Sequence, residues 1–284
     1  YQNAICLALE QDFEETQTAP SMAAEHGHYG TYEIQAPMGL RMVDYILSLG
    51  YGAQLHGPSN HSAATIPMFV AAGLGQLGAN GQLLHPHAGA RCRLQIITTD
   101  APVTFDKPID YGFHAFCQVC QVCVNRCPGR ALMREKIWWR GVEKNKLIYK
   151  RCRPVMSRYE GCAICMKVCP INKYGAKAVM EHYVETGQVL GKGTHDLEGY
   201  TLHEESTGKY VTGYFGPGEL PTFDASFFKI PNGTRENAAL ETLMEYIGTQ
   251  PDGVDKESDE KALFDFRDRL RVILHGEVSD STMF

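Results

Sequence analysis

CQVCQVCVNRCP, residues 117–128, decides how this chain is read. Cys117, Cys120, Cys123 and Cys127 stand at C-x2-C-x2-C-x3-C spacing with Pro128 behind them, which is the run of the bacterial ferredoxins. A second set follows: Cys152, then Cys162, Cys165 and Cys169 after gaps of nine, two and three residues, closed by Pro170. Three thiolates at two-residue gaps wrap a loop around three irons of a cubane, and the fourth cysteine, followed by proline, points to the other cluster. The spacing therefore predicts two [4Fe-4S] clusters, one on Cys117, Cys120, Cys123 and Cys169, the other on Cys127, Cys152, Cys162 and Cys165. A pair of zinc knuckles also uses C-x2-C pairs, but zinc needs neither the third cysteine of the first run nor the repeated Cys-Pro ending. Cys6 and Cys92 lie outside the pattern and read as small buried hydrophobes.

The bulk composition narrows the setting. A chain of 284 residues with 44% hydrophobic content can bury one large core or two modest ones. Its formal charge of -6 leaves no basic footprint for a polyanion, which argues against a nucleic-acid partner. No run of about 18 apolar residues is present, so no membrane span is expected. The opening YQNAICLALEQDFEET lacks the layout of a signal peptide, and ten cysteines without a secretory mark read as metal ligands in a cytoplasmic protein.

Upstream of the cysteines, AGLGQLGANG (residues 71–80) carries Gly73-x-Gly75-x-x-Gly78, and Asp100 follows at a distance suited to a dinucleotide fold. That fold needs a helix after the third glycine. Gly81, Pro86 and Gly89 interrupt the segment where it would lie, so the match reads as accidental. The glycines are expected instead to let backbone approach something large and flat, with Asn80, Gly81 and Pro86 shaping a loop. Around them, residues 36–50 predict an amphipathic helix closed by Gly50, 51–57 a strand, 66–73 a helix ending at Gly73, and 93–100 a strand. Residues 1 to about 25 are mixed, with a turn at QTAPS.

The order of these pieces carries a family resemblance. The AGLG segment, the proline-glycine loop, the arginine-bearing strand, the T-D-x-P turn at 99–102 and DKPIDYG at 106–112 precede the cysteines in sequence. From about Tyr29 to Tyr174 the chain resembles the cobalamin-dependent reductive dehalogenases, whose superfamily includes the epoxyqueuosine reductases. GYFGPGELPTFD, residues 213–224, is similar in looser form to the catabolic, non-respiratory type. The resemblance implies an α+β protein: a nitroreductase-like α/β cobalamin-binding domain over residues 1–112, a ferredoxin-like domain with two [4Fe-4S] clusters over 113–180, and an extended C-terminal tail over 181–284. Within that tail, residues 235–249 and 259–274 read as two surface helices. It also implies a corrinoid bound base-off with no protein ligand on cobalt. The absence of an Asp-x-His-x-x-Gly signature agrees with that.

Reductive dehalogenation needs a proton to replace the halogen, and a phenol beside a cation is a suitable donor. The resemblance implies a tyrosine assisted by a basic residue. Tyr29 and Tyr32 precede the 36–50 helix and both remain candidates, while Arg91 and Arg93, at alternate positions, are expected to reach one pocket. Asn60 matches the loop position lining the corrin and substrate pocket. Gly73, Gly75, Gly78, Asn80, Gly81, His85 and Pro86 are the remaining cofactor-binding candidates, and His87 reads as a loop residue. Arg151, Arg153 and Arg158 flank the second cysteine set and either orient an anionic substrate or tune cluster potential. The expected activity is removal of halide from halogenated aromatics such as halophenols, with electrons passing from an external ferredoxin or flavoprotein. Two rivals stand beside it: an epoxyqueuosine reductase acting on tRNA, and a corrinoid-free iron-sulfur electron-transfer subunit.

Overall fold

In the computed structural model, residues 1–57, 63–139, 142–204 and 209–212 are described. Asn60 and the segments at 213–224, 235–249 and 259–274 lie outside them. The elements in order are β1 (Asn3–Glu10), α1 (Phe13–Gln17), α2 (Met22–Ser48), β2 (Ala53–His56), α3 (Thr65–Ala71), β3 (Gln76–Leu77), β4 (Leu83–Leu84) and β5 (Cys92–Thr99). The cysteine region follows with α4 (Phe113–Cys120), α5 (Val122–Arg126), β6 (Leu132–Trp139), β7 (Val142–Leu147), α6 (Tyr149–Arg158), α7 (Ile164–Lys167), α8 (Pro170–Tyr174) and α9 (Ala176–Thr186). The last are α10 (His195–Glu198), β8 (Thr201–Glu204) and β9 (Lys209–Thr212). The chain divides into two units. One holds Tyr1–Arg134 and the chain from Leu147 through β9, and Glu135–Lys146 belong to the other.

The main sheet is antiparallel with order β1-β5-β2. Asn3 pairs with Thr99 and Glu10 with Cys92 on one side of β5; Ala53 pairs with Thr99 and His56 with Ile96 on the other. The central strand alternates as a two-faced strand must. Ile96 packs with Phe69 of α3 and Leu83, while Gln95 lies beneath α2 at Gly39. A Cβ on Gly39 would come within 2.7 Å of Leu55 and of the Gln95 amide carbon, so helix and sheet touch at a position only glycine fits.

Helix α2 departs from the sequence reading. It begins at Met22, capped by Ser21, whose hydroxyl accepts from Ala24 N at 3.1 Å, and runs through Pro37. Proline removes a helical hydrogen bond and tilts against the preceding turn, yet the helix extends well upstream of the 36–50 segment that periodicity predicts. Tertiary packing overrides that local cost: Ala24, His28, Thr31, Gln35 and Gly39 form an unbroken buried stripe at three- and four-residue steps. Residues 3–10, expected as mixed text, form the edge strand β1.

Candidate functional site

The site lies where α2, the β3–β4 turn and the cysteine segments converge, around a cavity of about 500 Å³. Because α2 is helical from Met22, Glu25, His28, Tyr29 and Tyr32 fall at i, i+3, i+4 and i+7, and all four border the cavity. Arg93 enters from β5, and Asn80, Gly81 and Gln82 from the turn. Cys127, Cys152, Cys162 and Cys165 border the cavity as well. Four cysteines of one quartet thus share a cavity with two tyrosines and an arginine.

Arg93 is held rigidly. Its Nε and Nη2 donate to the His28 carbonyl at 3.1 and 3.0 Å, and its guanidinium lies 4.4 Å from the centre of the Tyr32 ring. Tyr32 is half-buried, while Tyr29 is 60% exposed, with the two ring centres 5.9 Å apart. Arg91 does not join them. It precedes β5, donates to Glu10 Oε1 at 2.8 Å and to the Gln11 carbonyl at 2.9 Å, and does not border the cavity. The expectation that alternation would bring both arginines to one pocket is corrected by this engagement with the end of β1.

His28 and Glu25 were missed because their segment read as non-helical; their spacing from Tyr32 was the available signal. Burial, and then the Arg93 charge, push the His28 imidazole down to about 4 against an opposing pull from Glu15, so it is neutral near pH 7.

The glycines serve another purpose than expected. Gly73 accepts from the Tyr111 hydroxyl at 2.8 Å through its carbonyl, and the Gln76 side chain takes the backbone N–H groups of Tyr111 and Phe113 while donating to Asp110. The AGLGQ segment is therefore the seat of the DKPIDYG lead-in. Gly75, at φ +152°, abuts the Leu84 carbonyl, and Gly78 closes the β3–β4 hairpin through its N–H to Gln82 O at 2.8 Å. None of Gly73, Gly75 and Gly78 borders the cavity, and no helix follows Gly78. Gly81 does border it, at φ +77°, with only Leu147 Cβ within 4 Å of where a Cβ would stand. Asn80 Oδ1 accepts from Gln82 N at 3.2 Å and fixes that turn. His85 and Pro86 sit in a separate loop closed by reciprocal His85–Gly89 backbone bonds, and the His85 ring nitrogen accepts from the N–H groups of His87 and Ala88. Arg151, Arg153 and Arg158 lie on α6 and do not border the cavity.

The thiols fall into two groups by their mutual repulsion. Cys123 is opposed by Cys117, Cys169 and Cys120; Cys165 is opposed by Cys162, Cys127 and Cys152. Cys165 also acts weakly on Cys123, and Cys169 on Cys165, so the two groups are neighbours. Burial pushes the thiols up: Cys152 to about 11, Cys120, Cys162 and Cys169 to about 12, and Cys123 and Cys165 well above their ordinary value. Backbone N–H groups oppose that rise. Ala131 N lies 3.3 Å from Cys127 Sγ, joined by the N–H groups of Gly129, Leu132 and Arg130.

Cys120-x2-Cys123 and Cys162-x2-Cys165 have the same local geometry. The residue after the first cysteine is left-handed in both, Gln121 at φ 53° and Ala163 at φ 51°. Val122 N–H then points to Cys120, and Ile164 N–H to Cys162. Among the described residues no three His, Cys, Asp or Glu groups are gathered tightly enough for one metal ion. Cubane thiolates bond four separate irons and stand further apart than those on a single zinc, so the quartets with their N–H donors suit iron-sulfur clusters by donor chemistry.

A corrinoid fits only in part. The cavity is the size of a site for a drug-sized molecule, so Asn80, Gly81 and Gln82 offer a border for a ring rather than an envelope for a whole cobalamin.

Behind the cysteines, the buried guanidinium of Arg126 pairs with Glu198, whose other oxygen accepts from Gly193 N at 2.6 Å. Tyr200 donates to the Arg126 carbonyl at 3.3 Å and lies near Cys162 and Cys127. Among the described residues no helix is long and apolar enough to cross a membrane.

No protein-family model matches the chain. It is 32% identical over 185 residues to a tetrachloroethene reductive dehalogenase of Dehalobacter restrictus, a match covering 60% of this chain and 33% of that protein. It is 30% identical over 182 residues to the tetrachloroethene reductive dehalogenase of Sulfurospirillum multivorans, covering 61% and 36%. An epoxyqueuosine reductase of Escherichia coli is 30% identical over 125 residues, covering 41% and 32%. Among solved structures, a catabolic reductive dehalogenase in complex with 3-bromo-4-hydroxybenzoic acid superimposes with a TM-score of 0.54 at 26% identity, over 64% of this chain and 28% of that one. The chain is thus homologous to reductive dehalogenases, with epoxyqueuosine reductase also a relative, and spans about a third of the length of the curated relatives it matches.

Proposed function

We propose that this homologue of the reductive dehalogenases carries the cluster-bearing and proton-donating part of an oxidoreductase that replaces a carbon-bound halogen by hydrogen. One observation carries the reading: the Cys127, Cys152, Cys162 and Cys165 quartet, Tyr32 and Arg93 border a single cavity. The reaction consumes two electrons and one proton per halide released. The two quartets would each hold a [4Fe-4S] cluster, with Cys117, Cys120, Cys123 and Cys169 receiving electrons from an external ferredoxin or flavoprotein and the cavity-side quartet delivering them. A corrinoid bordered by Asn80, Gly81 and Gln82 would supply the strongly reducing centre for carbon–halogen cleavage, base-off and without a protein ligand on cobalt.

The chain's own residues supply orientation and the proton. The His28 carbonyl fixes Arg93, and Arg93 lies over Tyr32, where its charge stabilises the phenolate left once the Tyr32 hydroxyl has given its proton to the substrate carbon. Tyr29, whose ring lies beside that of Tyr32 and is open to water, would relay a proton back to it. Halogenated phenols are the proposed substrates, and the support is the halophenolic acid bound to the structural neighbour.

The test is anaerobic: the chain is reconstituted with iron, sulfide and hydroxocobalamin, supplied with a low-potential donor and 2-bromophenol, and assayed for bromide. Bromide release is expected. Turnover of epoxyqueuosine-tRNA without bromide release would transfer the assignment to that relative. Cluster absorbance with no corrinoid uptake would leave an electron-transfer subunit.

A further inference from the structure

Helix α2 buries polar side chains and exposes apolar ones. Its buried positions include His28, Thr31, Gln35 and Gly39, while Ile34 is 62%, Tyr45 65% and Met38 39% exposed. A surface helix that faces only water shows the reverse, with its apolar stripe inward and its polar residues outward. The exposed side chains are also ordered for packing. Glu33, Pro37, Arg41 and Tyr45 form one row and Ile34, Met38 and Met42 the next, each stepping by four residues, and the two rows line a groove of about 420 Å³. Rows at four-residue steps are the ridges that interdigitate when one helix crosses another, and a contiguous exposed apolar patch marks an interaction surface.

The charges in the groove indicate what fills it. Glu33 and Arg41 stand four residues to either side of Pro37, too far apart along the helix to reach each other, and neither has an ion-pair partner among the described residues. A second copy of α2 laid antiparallel across Pro37 brings opposite charges together at both ends of the crossing, whereas a parallel copy sets like against like. We propose that two copies of the chain pair through the outer faces of α2, with Ile34, Met38 and Met42 buried between them and each Glu33 facing the partner's Arg41. The contact is self-complementary, as a two-fold interface requires. Its affinity comes from the apolar row and its orientation from the charges. The pairing goes beyond the dehalogenase reading and does not depend on it.

The test is sedimentation of the chain reconstituted with both clusters, at concentrations between about 1 and 100 µM. Twice the single-chain mass is expected at the upper end. Met38→Lys, which places a charge in the apolar row, should weaken association at least about tenfold with cluster absorbance retained. Glu33→Arg alone and Arg41→Glu alone each set like charges together and should also weaken it. An equimolar mixture of those two variants restores opposite charges at both contacts and should dimerise as the parent does, a rescue that a structural role within one chain would not produce. A parent that stays monomeric over the whole range, a dimer as tight in Met38→Lys, or charge variants that associate like the parent, as a parallel pair would, overturns the proposal. So does a mixture that fails to recover. A monomeric parent that instead binds phosphatidylglycerol vesicles, and releases them in Met38→Lys, overturns it by giving the face to a lipid surface.

Discussion

Arg93 lies over the face of Tyr32, 4.4 Å from guanidinium carbon to ring centre, while its nitrogens are clamped on the carbonyl of His28 four residues before that tyrosine. One turn of α2 therefore fixes the Tyr32 ring and, through the His28 carbonyl, the cation lying over it.

Tyr32→Phe should lower halide release by about 10²- to 10⁴-fold, the usual worth of a positioned proton donor. Tyr29→Phe, at an exposed position, should cost less than about tenfold. Bromide release at saturating 2-bromophenol, with cluster absorbance as the control for folding, checks both. A larger loss at Tyr29 would exchange the two roles.

Cys165→Ser should remove the cavity-side cluster and reduce iron by at least about half, since a cubane is bound by four thiolates. Cys6→Ser should leave the iron content unchanged, because Cys6 lies on β1 and packs with Phe69 and Ile96. Iron and acid-labile sulfide per chain give the answer.

Glu198→Ala should destabilise the folded chain by about 1–3 kcal/mol, because it takes a charged hydrogen-bond partner from the Arg126 guanidinium, whose side chain is 1% exposed. Replacing both residues with apolar side chains of similar volume should recover most of that loss. Urea midpoints of the single and double variants are the measurement, and a single variant no less stable than the parent would contradict the burial argument.

His28 also leaves a mark on stability against pH. The unfolded histidine takes up a proton near 6.5, while the folded one resists until about 4. Within that window the unfolded state binds more protons, so stability falls as the pH falls from 6.5 toward 4. His28→Gln should make the decline shallower, as read from urea midpoints over the upper part of the window, where the clusters survive. Identical slopes would mean that the ring is not desolvated.

The chain was legible where its signals are local. Alternation put β5 and β2 where they lie, and Gly73 ends α3 as its position suggested. The cysteine runs announce thiolate chemistry in a dozen letters. Long-range packing was not visible in the same way: α2 runs through Gly27, Gly30 and Pro37, well upstream of the 36–50 segment, because its buried stripe is held against the sheet and against α1. That single error hid His28 and Glu25 and left Tyr29 and Tyr32 undivided. The AGLG glycines misled in the opposite direction. Gly73 abuts the carbonyl of Lys107 in the chain's own lead-in to α4 and Gly75 that of Leu84, and nothing local in their spacing tells a cofactor from a distant carbonyl.

Cys127 faces the cysteines of the later run and Cys169 those of the earlier one. Each quartet therefore takes its fourth thiol from the other run. Oxidation of Cys127 is therefore expected to empty the site built mainly from the later run while leaving that of its own run in place.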